Sequence, residues 1–228
     1  MKLSISMTRR ESTLGWVYLL LSIFVVPTAL ALANGMLRNP LSLTEINLIF
    51  LGLNFLAIAL IFRRFLTASV KVAADRLGRV IGFSALGFAL YYAGSLVIAG
   101  LVLLIKPDFS NINDDTVIGL FDEHSALMAI ATVLLVPITE ETLYRGLFFQ
   151  GFQRKSRLLA YCLSTVVFAA IHITGYIGMC DLLTLCLCFV QYLPAGIMLA
   201  WAYEKTDTIV APMLMHIIIN LIGITALR

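Results

Sequence analysis

Charge is scarce in this chain. Of its 228 residues only 13% are Asp, Glu, Lys or Arg, while 61% are hydrophobic, and the mean hydropathy is +0.97. A soluble domain this apolar could not cover its surface with polar groups, so an ordinary soluble protein is excluded. Histidine is scarcer still, with three residues, and no His-Glu-x-x-His helix of the zincin kind occurs. The four cysteines, Cys162, Cys180, Cys186 and Cys188, all lie in apolar stretches. They are expected to be small packing residues, with no zinc site and no disulfide framework. Internal repeats, charge blocks, low-complexity stretches and long polar linkers are all missing, so one domain over residues 1–228 is expected. The net charge of +3 is too small to suggest nucleic acid as a partner.

What the chain has in abundance is apolar runs of bilayer length, about 20 residues each. They cover approximately 14–33, 43–62, 80–105, 126–152, 158–172, 179–203 and 209–227. The expected fold is all-α, a polytopic transmembrane bundle of about seven helices (six to eight) around a buried polar site, with the lipid bilayer as its solvent. The first run follows Arg9 and Arg10 and ends in small residues, as a signal peptide would. It is longer than the roughly 7–15 residues of a signal-peptide core, so a retained helix is expected, kinked at Pro27.

Lysine and arginine gather in alternate connections: Lys2, Arg9 and Arg10 before the first run; Arg63, Arg64, Lys71, Arg76 and Arg79 after the second; Arg154, Lys155 and Arg157 after the fourth. The connection after the third run carries Asp108, Asp114, Asp115, Asp122 and Glu123 against Lys106 alone. The positive-inside rule then places the N-terminus in the cytoplasm, the acidic connection outside and, with seven spans, Arg228 outside. Residues 65–80 set Phe65, Leu66, Val70, Ala73 and Leu77 against Lys71, Asp75, Arg76 and Arg79, a pattern that suits an interfacial helix. A solvated loop is the alternative.

Ionisable residues at mid-bilayer are expensive and call for an explanation. The fourth run contains Glu140 and Glu141 with Arg145, the fifth ends in His172, and the seventh carries His216 and Asn220. Glu141 and Arg145 are four apart and share a helix face, so they can pair, while Glu140 is rotated about 100° away and stays free. His216 and Asn220 also share a face, and could act on one substrate atom. Singly, each group has a structural reading: an ion pair, a satisfied histidine, a helix–helix clasp. Together, a free carboxylate, two histidines and an asparagine on three helices are costly to bury for packing alone. His124, at the foot of the acidic connection, is expected to be solvated.

At these residues the sequence resembles the CAAX prenyl proteases and bacteriocin-processing enzymes, the CPBP or Abi family of intramembrane proteases. The family's Glu-Glu-x-x-x-Arg motif reads Glu140-Glu141-Thr-Leu-Tyr-Arg145, its Phe-x-x-x-His motif reads Phe168 to His172, and its final His-x-x-x-Asn reads His216 to Asn220. The likeness covers about residues 125–220. The helices before it, 14–105, show no family pattern, and Ala200 stands four residues after Gly196 where a second glycine is expected.

The resemblance implies hydrolysis of a peptide bond in a membrane-associated protein or peptide. Glu140 and His172 would activate water, His216 and Asn220 would stabilise the oxyanion, and Glu141 with Arg145 would support the helix. His172, His216 and Glu140 could instead hold a zinc ion, although Asn220 is a poor ligand for one; catalysis without a cofactor is the favoured expectation. The alternatives are a non-proteolytic regulator or bacteriocin-immunity protein that binds a peptide or a sensor kinase, and a proton-coupled transporter, for which repeated halves are missing. A bacterial plasma membrane is the expected location. Substrate identity and oligomeric state have no signature in the sequence.

Overall fold

A computed structural model describes residues 3–227. Lys2 and Arg228, which enter the charge argument, lie outside the described residues. The described residues form nine helices in chain order: α1 Arg9–Gly35, α2 Leu43–Ile61, α3 Arg63–Asp75, α4 Leu77–Ile105, α5 Ile112–Gly119, α6 Ser125–Gln153, α7 Arg157–Thr174, α8 Leu182–Thr206 and α9 Val210–Leu227. Six of them, α1, α2, α4, α6, α7 and α8, are long and apolar enough to cross a membrane, and α9 is a shorter apolar helix. The chain is an integral membrane protein.

Local chemistry explains most of the boundaries. Thr8 and Ser42 each cap a helix through a capping box, with Glu11 and Glu45 reaching back to the cap backbone. Pro27 and Pro137 each follow a π-helical turn, Leu21–Val25 and Ala131–Leu135. Proline removes one backbone donor and crowds the carbonyl four residues back, and widening the preceding turn relieves both effects. Residues 63–75 fold as a separate helix, not a loop. Phe65, Ser69 and Ala73 line its buried side, while Val70 and Lys71 face outward.

Large apolar side chains of α1, α2 and α4, such as Phe24, Leu60 and Leu104, face outward. That suits a lipid-facing surface. The core lies further along the chain, where Leu143, Tyr144, Leu147, Phe149, Phe168, Leu199 and Tyr203 join α6, α7 and α8. Cys188 is fully buried, whereas Cys162 and Cys186 lie on the exterior, so not all four cysteines are packing residues. All four thiols are free.

The two ends of the bundle are closed differently. At the end carrying α3, the chain's first described residues run back beneath the helices. The Ser4 amide and hydroxyl bind the Asp207 carboxylate, the Met7 amide donates to Gln150 Oε1 at 2.9 Å, and Gln150 Nε2 donates to the Ile5 carbonyl at 2.7 Å. Arg76 also reaches Asp207, at 3.5 Å. At the other end α5 and the residue that caps it, Asn111, are tied by side-chain hydrogen bonds to α8. His124 sits there, about half exposed and 4.0 Å from Glu45.

Candidate functional site

The Glu140–Arg145 segment straddles the change from α-helical to π-helical winding, which runs over Thr142–Phe149. A π segment of eight residues is unusual and often marks a functional position. It widens the helix where two adjacent carboxylates must point to different neighbours.

Glu141 turns into the core. Its Oε1 accepts from Arg145 Nη1 at 3.0 Å and contacts His216 Nδ1 at 2.8 Å, and both Glu141 and Arg145 are 0% exposed. Arg145 is satisfied on two further sides. Its Nη2 donates to the Gly196 carbonyl at 3.1 Å, and its guanidinium lies 4.6 Å from the centre of the Phe168 ring. That carbonyl is reachable because Gly196 packs against Thr165, where a Cβ would lie 2.7 Å from Thr165 Cγ2. A charge pair buried this deeply is tolerable only with such additional hydrogen bonds.

Glu140 points elsewhere. Its Oε2 lies 4.0 Å from His172 Nε2, with 19% of the glutamate side chain and 17% of the histidine exposed. Among the described residues neither Glu140 Oε2 nor Glu141 Oε2 has a hydrogen-bond partner, and both oxygens are buried. His172 Nδ1 donates to the Phe168 carbonyl at 2.7 Å, the bond that holds its ring and leaves Nε2 facing Glu140. The Phe168 ring contacts both histidines, with centroids 4.6 Å from His172 and 5.9 Å from His216.

Asn220 stands one turn beyond His216, and its Nδ2 donates to the Thr132 carbonyl of α6 at 2.8 Å. The amide has a second N–H, so this clasp does not exhaust its donors. The structure therefore joins Glu141, Arg145 and His216 directly, sets Glu140 against His172, and ties Asn220 to α6. No three His, Cys, Asp or Glu side chains among the described residues are grouped so as to hold a metal ion.

Reading the sequence missed the groups around His172. Tyr192 of α8 stacks on its ring, with centroids 4.3 Å apart and planes at 27°. The Tyr192 hydroxyl donates to Asp114 Oδ1 at 2.9 Å and accepts from Asn113 Nδ2 at 2.9 Å. Burial pushes the Asp114 carboxyl above its ordinary value, against the lowering effect of these hydrogen bonds. Nothing in the spacing of residues 106–124 signals that Asp114, among five acidic residues, is the one that turns inward.

Residues 122–222 match the family model described as Rce1-like, type II CAAX prenyl endopeptidase. The matched stretch encloses all of the residues just described except Asn113 and Asp114. A curated relative, UPF0177 protein YxdF of Lactococcus lactis subsp. lactis, is 27% identical over 95 residues, which are 42% of this chain and 47% of that protein. The chain thus spans about half the length of the relative it matches. No solved structure matches it.

Proposed function

We propose that the chain, matched over residues 122–222 to a family of membrane endopeptidases, hydrolyses a peptide bond within the bilayer, with Glu140 as the base. The observation that supports this most is the division between the two glutamates. Glu141 is held by Arg145 and His216, whereas Glu140, 19% exposed as a side chain, keeps a buried, unbonded oxygen 4.0 Å from His172 Nε2. The attacking water is placed between these two acceptors. Glu140 takes its proton as the oxygen attacks the scissile carbonyl, and later returns that proton to the leaving amine.

His172 orients the water through Nε2, because its Nδ1–H is committed to the Phe168 carbonyl. His216 and Asn220 stabilise the negative charge that develops on the carbonyl oxygen. For His216 that role requires the doubly protonated ring, since Nδ1 serves Glu141 and only a protonated Nε2 can donate. Glu141 supplies the counter-charge and Arg145 holds Glu141. The dispersed donor set does not suit a catalytic zinc, which wants three protein ligands together. Activity is expected to survive exhaustive chelation; loss on chelation with recovery on adding zinc would overturn this part.

A bacterial plasma membrane suits the relative from Lactococcus lactis. The deciding experiment compares peptides released by cells producing the intact chain or Glu140→Gln at matched levels in the membrane. Peptides present only with the intact chain are expected. Identical peptide sets would remove the protease reading.

A further inference from the structure

We propose that the site is reached from the end of the bundle covered by α5, which the charge distribution makes the extracytoplasmic end, and that its substrates are outward-facing segments of exported or membrane-anchored polypeptides. The proposal deepens the protease reading and rests on it for the word substrate. The direction of access stands on its own.

The first support is depth. Helix α7 starts at Arg157, beside the basic connection, and ends at Thr174. At about 1.5 Å per residue His172 lies about 22 Å along the helix from Arg157 and about 3 Å from its far end. Glu140, 4.0 Å from His172, is therefore at the same level. Along α7 the site therefore lies near the α5 end, while Glu140 stands at mid-span of α6, between Ser125 and Gln153, and His216 stands in the second turn of α9.

The second is the contrast in what closes each end. On the α3 side, Gly146 follows directly on Arg145. A Cβ on Gly146 would lie 2.7 Å from Met7 Cε and 2.9 Å from Phe65 Cε1, so an apolar plug is pressed against the helix at that point. Leu147 and Phe149 are buried behind it, and the Gln150 bonds to Ile5 and Met7 hold the plug in place. On the α5 side the cover is polar. Tyr192, Asn113 and Asp114 are joined by hydrogen bonds directly above His172, and Asn111 Nδ2 donates to Gln191 Oε1 at 2.8 Å. Groups of this kind stabilise water near them, as apolar side chains do not.

Exposure follows the same gradient. The side chains of Glu141 and Arg145 are 0% exposed, His216 5%, His172 17% and Glu140 19%. On this proposal water for the reaction, and the polar backbone of a substrate, enter past the polar cover at α5 and not past Met7 and Phe65. The acidic connection 106–124 marks the α5 end as extracytoplasmic, because lysine and arginine concentrate at the opposite end. A cytoplasmic, isoprenylated C-terminus would have to come from the closed side.

The test is cysteine accessibility in the full chain, with the four native cysteines replaced by serine or alanine. Thr67→Cys on α3 and Ser110→Cys before α5 report the two ends; both positions are exposed. His172→Cys and Glu140→Cys report the site, so that misfolding of one variant leaves the other. A membrane-impermeant methanethiosulfonate is applied to spheroplasts and to inverted vesicles. The site cysteines are expected to be labelled in the preparation that labels Ser110→Cys, and left unlabelled in the one that labels Thr67→Cys. Labelling from the Thr67 side, or from neither, overturns the proposal whether or not the chain is a protease. In the Glu140→Gln peptide comparison, Glu140-dependent peptides drawn from cytoplasmic C-termini would overturn it while supporting proteolysis, and peptides from exported or outward-facing segments would support both.

Discussion

Helices α1, α2 and α4 and helices α6 to α9 are all apolar, yet they bury different kinds of polar group. Beyond the first turn of α1, where the buried Glu11 bonds Thr8 and the Phe65 amide, the buried polar residues of α1, α2 and α4 are neutral, and each is satisfied by one or two nearby partners. Ser22 donates to its own helix at Leu19, Asn54 pairs with Tyr18 and Phe50, and Ser84 donates to the Ala211 carbonyl. In α6 to α9 the buried polar groups include an ionisable, shared set: Glu141 and Arg145 of α6 and His216 of α9 form one network, with Gly196 of α8 as a further acceptor. A neutral clasp can be lost with little consequence beyond the two helices it joins. A shared charge cannot, because each member holds the charge of the next. The contrast predicts that substitutions of similar size will differ several-fold in effect between the two regions.

The largest effect is expected at Glu141. Glu141→Gln keeps the shape of the side chain but leaves Arg145, fully buried, without its counter-charge. Breaking one partner of a buried pair costs about 3–5 kcal/mol, read as a large fall in unfolding temperature or yield in detergent. A Glu141→Gln protein as stable as the parent but inactive would show that Glu141 takes part in the chemistry and that the division between the two glutamates is wrong.

Asn220 separates the regions in another way, because it resembles the neutral clasps of α1 and α2 while sitting beside the charged network. If its free N–H faces the developing oxyanion, Asn220→Ala lowers turnover about 10²–10³-fold, the usual effect of removing one such donor. If its bond to Thr132 is its whole role, the variant keeps its turnover and loses about 0.6 kcal/mol of stability, typical of a hydrogen bond between membrane helices. Measuring both quantities on one preparation decides between them.

Two glycines make a third comparison. Gly196→Ala drives a Cβ to 2.7 Å from Thr165 Cγ2 and 3.1 Å from Thr165 Cα. It also disturbs the carbonyl that accepts from Arg145, so a loss of about 1–3 kcal/mol is expected from overpacking. Gly52→Ala in α2 meets nothing within 4 Å and should gain about 0.5–1 kcal/mol from helix propensity. Equal effects at the two positions would mean that α7 and α8 are not packed as closely as described.

The spans were legible in the sequence to within a few residues, because apolar length is a property of the chain alone. The amphipathic pattern of 65–80 allowed either a helix or a loop, and contact with the bundle settles it as α3 through the burial of Phe65, Ser69 and Ala73. The pairing of Glu141 with Arg145 followed from spacing and survives the π-helical winding that spacing does not reveal. His216 was expected beside Asn220 as a donor, and its bond to Glu141 could not be foreseen because it joins residues 75 apart on different helices. The same holds for Tyr192 and Asp114 over His172. Periodicity reports which face of a helix is apolar; it carries no information on which polar group of another helix that face will meet.

The smallest effect tests the other half of the comparison. Tyr18 donates to Asn54 Oδ1 at 2.6 Å, joining α1 to α2, and Asn54 Nδ2 separately donates to the Phe50 carbonyl of its own helix. Removing the hydroxyl in Tyr18→Phe leaves no charge unpaired, and Asn54 keeps one of its two bonds. A hydrogen bond between membrane helices contributes on average about 0.6 kcal/mol and at most about 1.7. Tyr18→Phe, Asn54→Ala and the double variant, unfolded side by side, should give a coupling within that range. A coupling as large as the loss predicted for Glu141→Gln would show that neutral pairs in α1 and α2 are as indispensable as the charged network. It would also remove the physical ground for reading function into one region and packing into the other.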